Sequence, residues 1–414
     1  MFDSDYEDVL PLDWQTEVDG DIGRNPLTGA KRFLSPMPKH WIKAITDQEG
    51  SVFINLVSGA RSYTDPRLAL PLLRTPDGVP VQYSKFDDLS TTTEVLDECD
   101  VLGKYIILLG GTSGVGAHIA HSLITRGSIV ICLSRNPPLV RWSSFSNSTH
   151  HLSPSNGSLF WTHLDLSCMQ SIFDFAEEYN KTSWPVHSLI FAAATLPESF
   201  ENHKSTDGFD RVVQINVLSQ VLLVRLLQYR LCDTFRSTVV FVSCEALRAT
   251  NIAKAEDVYS ALEPLCNSYS SIRGRVQLYA NSKFLQVLFA VAFREFLERR
   301  KLRHPAVLIC SSGNLIWQSK LISSASWKYW WWLKCLRLLA YPFSKSMECS
   351  AATLAFCALH PGTNTYRGRR KDCSYFNGCI PASLPEAALN PEMARVTWTY
   401  INALLEEKFK LPPW

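Results

Sequence analysis

The run Gly110-Gly111-Thr112-Ser113-Gly114-Val115-Gly116 constrains this chain most, because of what flanks it. Before it, Tyr105-Ile106-Ile107-Leu108-Leu109 has the length and apolarity of a buried strand. After it, a helix is expected from His118 to Arg126. Glycines at a strand-to-helix junction let the backbone come close to a pyrophosphate, and the free N–H groups of the helix start then face its charge. The alternative is a plain tight turn. Further apolar segments, Ile129–Leu133, Phe160–Leu164, Ser188–Phe191, Thr238–Val242 and Ala306–Ile309, alternate with helical stretches. That alternation predicts an α/β domain with a doubly wound parallel sheet, of the Rossmann-like kind.

The positions after the second and third strands bear on the nucleotide. Arg135 stands where an acid would hold the ribose hydroxyl of NAD, so a basic residue there suits the 2′-phosphate of NADP. An exposed surface Arg is the other reading. Asp165 follows the third strand and suits the adenine amine, or else caps a helix starting near Ser167.

Tyr279-Ala280-Asn281-Ser282-Lys283 puts a phenol and an ammonium four residues apart, on one face of a helix. The apolar stretch Phe284–Phe293 supports a helix there. A cation beside a phenol is expected to lower its pKa and make it a usable acid–base near neutrality.

Ahead of this body lie two small patterns. Residues 37–70 open on Met37-Pro38-Lys39-His40-Trp41 and close on Tyr63-Thr64-Asp65-Pro66, around strand-like Val52-Phe53-Ile54-Asn55. Turn signals at Asp47–Gly50 and Ser58-Gly59 predict a three-stranded sheet. Residues 8–36 read as a shorter, degenerate copy, with Leu10-Pro11-Leu12-Asp13-Trp14, Asn25, Phe33 and Pro36. The stretch 71–100, with Pro76, Gly78 and Pro80, reads as a linker, and 101–414 as the catalytic domain.

These motifs resemble two known families. The glycine run, Asn216 in Gln214-Ile215-Asn216, the strand end Val242-Ser243-Cys244, and Tyr279 with Lys283 occur in the order and spacing of the short-chain dehydrogenase/reductase superfamily. The front patterns resemble WW domains, which dock proline-rich peptides on an aromatic groove. Asp65–Leu68, Pro342–Met347 and Tyr375-Phe376-Asn377 extend the likeness over essentially the whole chain. The resemblance implies that Tyr279 is the general acid–base, that Lys283 lowers its pKa and binds the nicotinamide ribose, and that Asn216 holds a water in the proton path. It also implies a cofactor site at Gly110, Gly111, Thr112, Ser113, Gly114, Val115, Gly116, Arg135, Asp165, Ala192 and Lys283, with NADP as cofactor.

The chain departs from that pattern at informative places. The serine that polarises the substrate oxygen is Cys244, a weak donor. Ser243 lies one residue earlier and should face the other way, since strand side chains alternate. An asparagine that braces the sheet is Ala192, and the Pro-Gly after the sixth strand is Ser312-Gly313. The Ser- and Asn-rich stretch 143–158 reads as a loop. In the WW-like part, the candidate peptide contacts are Trp41, Phe53, Tyr63 and Pro66. Without the family's aromatic pair and second Trp, a proline ring has little to stack on, so only weak binding is expected.

Composition narrows the classes. With 414 residues, 46% hydrophobic and 19% charged, the chain is expected to fold into two or three units. A formal net charge of +2 gives no reason to expect nucleic acid. The 12 cysteines show no Cys-x-x-Cys or zinc spacing, so no metal site is expected. Scattered thiols and an acidic N-terminus without a signal pattern predict a cytoplasmic protein, with nuclear, mitochondrial or membrane-peripheral association as the alternatives. No apolar run reaches transmembrane length. The Trp-rich stretch 327–343 is expected to cover a small lipophilic substrate, steroid- or retinoid-like, with contact to a membrane surface as the other reading. A homodimer is implied by the superfamily. Two functions follow: an NADP-dependent oxidoreductase with a signalling role through its WW modules, or a cofactor-binding scaffold of low activity acting through protein contacts.

Overall fold

The computed structural model describes residues 15–16, 22–24, 31–33, 41–46, 50–56, 61–62, 86–87, 89–137, 157–197, 203–263, 271–313, 345–360 and 375–414. The chain divides into two units, Met1–Asp87 and Asp88–Trp414.

The first unit contains two three-stranded antiparallel sheets. One is β1 (Gln15–Thr16), β2 (Ile22–Arg24) and β3 (Lys31–Phe33) in that order. The other is β4 (Trp41–Thr46), β5 (Gly50–Asn55) and β6 (Arg61–Ser62). The β4–β5 hairpin pairs Trp41 with Asn55 and Thr46 with Gly50. The three-stranded sheet expected for residues 37–70 is present, and a second one lies within residues 8–36. Trp41 and Phe53 lie on strands β4 and β5, whereas Tyr63 and Pro66 lie outside the described residues.

The second unit begins before residue 101. Helix α1 (Thr92–Leu96) is opened by a reciprocal cap: the Thr91 hydroxyl accepts from Glu94 N–H, and the Glu94 carboxylate accepts from Thr91 N–H at 2.8 Å. Val95 and Leu96 are buried, and the helix packs on two later helices of the same unit. The second half of the expected linker thus belongs to the catalytic body.

An eight-stranded sheet organises that body. Its strands are β7 (Tyr105–Leu109), β8 (Ile129–Ser134), β9 (Ser158–His163), β10 (Ser188–Phe191), β11 (Thr238–Ser243), β12 (Ala306–Ser311), β13 (Tyr375–Asn377) and β14 (Ile380–Pro381). They are ordered β14-β13-β12-β11-β10-β7-β8-β9. All pairings are parallel except β13–β14. The expected doubly wound sheet is present, extended by a short antiparallel edge that the sequence reading lacked.

Side-chain alternation explains how both faces are filled. Ile107, Leu109, Val239, Phe241, Val307 and Ile309 join one continuous apolar core. That core includes α3 (Met169–Lys181), α4 (Arg211–Asp233), α6 (Ile272–Arg299) and α8 (Pro391–Phe409). Their strand neighbours Ile106, Leu108, Val240 and Leu308 are buried on the opposite face. There α2 (Gly114–Ile124) and α7 (Met347–Leu359) pack together, and a short α5 (Ala255–Leu262) joins α6 and α8 on the first face.

Arg211–Asp233 is long and apolar enough to cross a membrane by length and composition. No unbroken apolar run marks it, because Gln214, Asn216, Ser219 and Gln220 interrupt the sequence. Those polar residues are buried with Leu222, Leu223, Val224 and Leu227, so it is a core helix of this unit. The stretch 327–343 and most of 143–158 lie outside the described residues.

An aromatic column locks α6 to α8. Phe289 stacks on Phe293 at 5.9 Å and on Trp398 at 5.7 Å, and meets Phe241 of β11 edge-on at 5.9 Å. Such pairs contribute about 0.5–1.5 kcal/mol each beyond burial. Phe289→Ala should therefore lower stability by about 3–5 kcal/mol in urea unfolding. A loss below about 1 kcal/mol would show that the column is not structural.

Candidate active site

The carboxyl ends of β7, β10 and β11 converge on the start of α2 and on the middle of α6. At β7, Gly110 has φ +91° and passes so close to the β10 exit that an added Cβ would lie 2.8 Å from Ala193 N. The first turn of α2 packs equally closely: a Cβ on Gly116 would lie 2.2 Å from the Gly110 carbonyl oxygen. Gly114 differs. Its φ is +60° and nothing lies within 4 Å of where a Cβ would stand. The junction is thus tight on the sheet side and open on the other, with the backbone amides of an eleven-residue helix at its edge. Such a cradle fits the pyrophosphate of a dinucleotide. Thr112 is exposed, while Ser113 and Val115 are partly buried beside it.

The flanking residues are brought to the same edge. Arg135 is exposed just beyond β8. Asp165 follows β9, and its Oδ1 accepts from Ser167 N at 2.8 Å and from Ser167 Oγ at 2.7 Å. It makes an Asx turn and does not cap a helix, since α3 starts at Met169 and takes a bond from Met169 N–H to Asp207. Ala192 continues the β10 ladder through N–H to Leu109 O at 3.0 Å.

Helix α6 carries the phenol and the ammonium. Its Ser271 cap accepts from Gly274 N–H at 3.0 Å. Over the next turns the face toward the sheet becomes polar, with Tyr279, Ser282, Lys283 and Gln286. Lys283 is buried, and its Nζ donates to Val242 O at 2.8 Å and to Gln286 Oε1 at 3.4 Å. Burial pulls its pKa below the ordinary lysine value, against the opposing influence of Cys244 and Cys310. The Cys244 thiol donates to the Tyr279 hydroxyl at 3.7 Å.

Tyr279 departs from the sequence reading. Its phenol is pushed well up from the ordinary value, by burial first and by Cys244 second, and Lys283 is not among the causes. The ammonium donates to a strand carbonyl and to an amide, and no hydrogen bond joins it to the phenol among the described residues. Ser243 behaves as alternation requires: it is buried away from Tyr279, its Oγ without a hydrogen-bond partner among the described residues. Cys244 occupies the place where a serine donor would stand.

Asn216 lies in a π-helical turn, Gln214–Leu218, that interrupts α4. The extra residue turns its amide toward the β10 exit. Its Oδ1 accepts from Thr195 N at 2.9 Å, and its Nδ2 donates to Thr195 O at 3.0 Å and to Ser282 Oγ at 2.9 Å. Ser282 Oγ in turn donates to Tyr279 O at 2.8 Å. Sequence reasoning missed Ser282, Gln286 and Asn281. Asn281 Oδ1 holds the loop after β11 by accepting from Thr250 Oγ1 at 2.9 Å and Gln277 Nε2 at 3.2 Å. The available signal was their place in a helix otherwise apolar on its inner face.

Among the described residues, then, the site gathers a protonated phenol, a buried ammonium, a thiol and an anion cradle at one sheet edge. The short chain dehydrogenase family profile matches residues 104–261. WW domain-containing oxidoreductase from Homo sapiens is 31% identical over 98% of this chain and 96% of its own length. That from Drosophila melanogaster is 27% identical over 98% of both. Human retinol dehydrogenase 12 is 28% identical over 73% of this chain and 86% of its own length. With the cradle, the Tyr–Lys helix and two small front sheets in one order along the whole length, the chain belongs to the WW domain-containing oxidoreductases, within the short-chain dehydrogenases.

Proposed function

We propose that this protein is an NADP-dependent reductase of a lipophilic carbonyl, with Tyr279 as its proton donor. The observation that carries this reading is the partly buried phenol beside Cys244 on the helix that also holds Lys283. A nicotinamide cofactor supplies hydride when bound. The chain's own residues do the rest. Because its pKa is raised, Tyr279 keeps its proton at neutral pH and can give it to a developing alkoxide. Cys244 offers that oxygen a second, weak donor. Lys283 and Asn216 hold the helix and the β10 exit in register. Arg135, exposed beyond β8, suits a 2′-phosphate and supports NADP over NAD.

The lipophilic substrate class rests on the Trp-rich stretch 327–343 and on the likeness to a retinol dehydrogenase. The catalytic domain proper and its two front modules are taken as separate functional units, the latter offering Trp41 and Phe53 for weak contact with proline-rich peptides. A second reading follows from Cys244. Losing one strong donor costs on the order of 10²–10³ in rate, which favours a slow enzyme or a cofactor-dependent scaffold.

Tyr279→Phe should abolish NADPH consumption against a panel of aldehydes and ketones, by about 10²-fold or more. Equal rates in both proteins would sink the reductase reading. Cys244→Ser restores an oxygen donor and should raise kcat on the order of tenfold or more, a gain absent if turnover is limited elsewhere. Arg135→Ala should weaken NADPH about tenfold and leave NADH unchanged, as read by cofactor fluorescence titration. The raised phenol pKa also fixes a sign. Above pH ~10 the unfolded chain ionises this tyrosine while the fold resists it, so stability falls as pH rises. Tyr279→Phe should shrink that alkaline loss in pH-dependent unfolding, and an unchanged slope would mean the phenol ionises freely.

A further inference from the structure

Lys283 has a second set of partners that the reductase chemistry does not require. Beyond its bond to Val242, the ammonium reaches Gln286 Oε1 at 3.4 Å, one turn along α6. Gln286 Nε2 donates to Gln220 Oε1 on α4 at 2.7 Å. Gln220 Nε2 donates on to Ile215 O, the carbonyl preceding Asn216, at 3.4 Å. Both glutamines are 1% exposed. The path closes on itself, because Asn216 is tied through Ser282 to Tyr279. Two buried amides are costly in an apolar helix interface unless each hydrogen bond is made. Here every member of the chain has a partner, and the amide orientation is set from both ends. Gln286 must present oxygen to the cation, which turns its nitrogen toward Gln220.

We propose that Gln286 and Gln220 are positioning residues that hold the Lys283 ammonium in its charged, cofactor-facing place and couple it to the π-helical turn bearing Asn216. This deepens the oxidoreductase reading and rests on it for the meaning of Lys283. The titratable groups acting on Lys283 are Cys244 after β11 and Cys310 on β12, with Tyr279 one turn away on its own helix. Helix α4 faces it with the neutral amides of Gln220 and Asn216. The Gln pair is therefore the neutral support that keeps the cation protonated from the α4 side.

The test compares full-length wild type with Gln286→Leu, Gln286→Glu and the double variant Gln220→Leu with Gln286→Leu. Removing both amides leaves neither glutamine facing an orphaned amide, so the double variant should recover much of the thermal stability that Gln286→Leu loses. A merely structural pair would then behave as wild type. If the pair positions the cation, the alkaline limb of NADPH affinity should still lie about one pH unit lower in the double variant, a tenfold loss of affinity above it. Gln286→Glu should move the limb upward. In crystals of the cofactor-free double variant, Lys283 Nζ should leave Val242 O or take a second rotamer. An ammonium that stays on Val242 with an unmoved limb would overturn the proposal. Failure of the wild type to bind NADPH would overturn the oxidoreductase reading instead, and the crystal comparison would still decide the relay.

Discussion

The bond from the Lys283 ammonium to the Val242 carbonyl is the contact on which the rest of the site depends. A buried charge is tolerated only when paired or well solvated by fixed dipoles. Here the dipole is the last carbonyl but one of a central parallel strand, so the cation pins α6 to the carboxyl edge of the sheet. Once that register is set, Tyr279 falls one turn earlier, over the strand end, and meets Cys244. The far half of the same helix is fixed by Phe289 and Phe293 against Trp398. One helix therefore serves both as core and as a bearer of chemistry. Its polar face is confined to the turns nearest the sheet edge, where the backbone offers acceptors.

The glycine junction answers a different constraint. Its tight side is set by contact with the β10 exit and by α2 packing on Gly110, and its open side by the left-handed turn at Gly114. Any side chain would fill the tight side, and β-branched or bulky ones would strain the open one. The helix dipole then adds a favourable field for anions without any charged side chain. Arg135 adds charge only at the rim, where solvent screens it.

Much of this was legible in the sequence, for particular reasons. Strands β7, β8, β10, β11 and β12 are buried on both faces, so they appear as short continuous apolar runs, whereas the edge strand β9 is only partly buried. Tyr279 and Lys283 show through their spacing. The position of the catalytic body's start was also readable: Thr91-Thr92-Thr93-Glu94 is a capping-box pattern ahead of an apolar pair, masked by its nearness to a Pro- and Gly-rich stretch. Strands β13 and β14 are too short for periodicity to mark. The phenol's upward shift was illegible because it comes from burial and from the nearness of Cys244, which are tertiary facts. Spacing places Lys283 near Tyr279, but only packing decides that Val242 and Gln286 claim its protons. For Asp165 the helix-cap alternative was the one that failed, since its Oδ1 is engaged by Ser167 and the helix starts only at Met169.

The substitutions at Ala192 and Cys244 have unequal consequences. Ala192 lacks a side chain that could brace the β10 exit, yet that exit is held at both its N–H and its C=O, three residues on, by the Asn216 amide. The π-helical turn makes this possible, because an extra residue in α4 rotates Asn216 out of the regular helical face and toward Thr195. The brace is supplied from the opposite wall and the cleft keeps its shape. No such substitute exists for the donor. Ser243 is turned into the core by strand alternation, and Tyr279 is itself the proposed proton donor. A thiol donates weakly and is larger than a hydroxyl, so under the proposed reductase reading it would hold a developing alkoxide less firmly. Geometry here is compensated, electrostatics is not, and the rate should suffer where the fold does not.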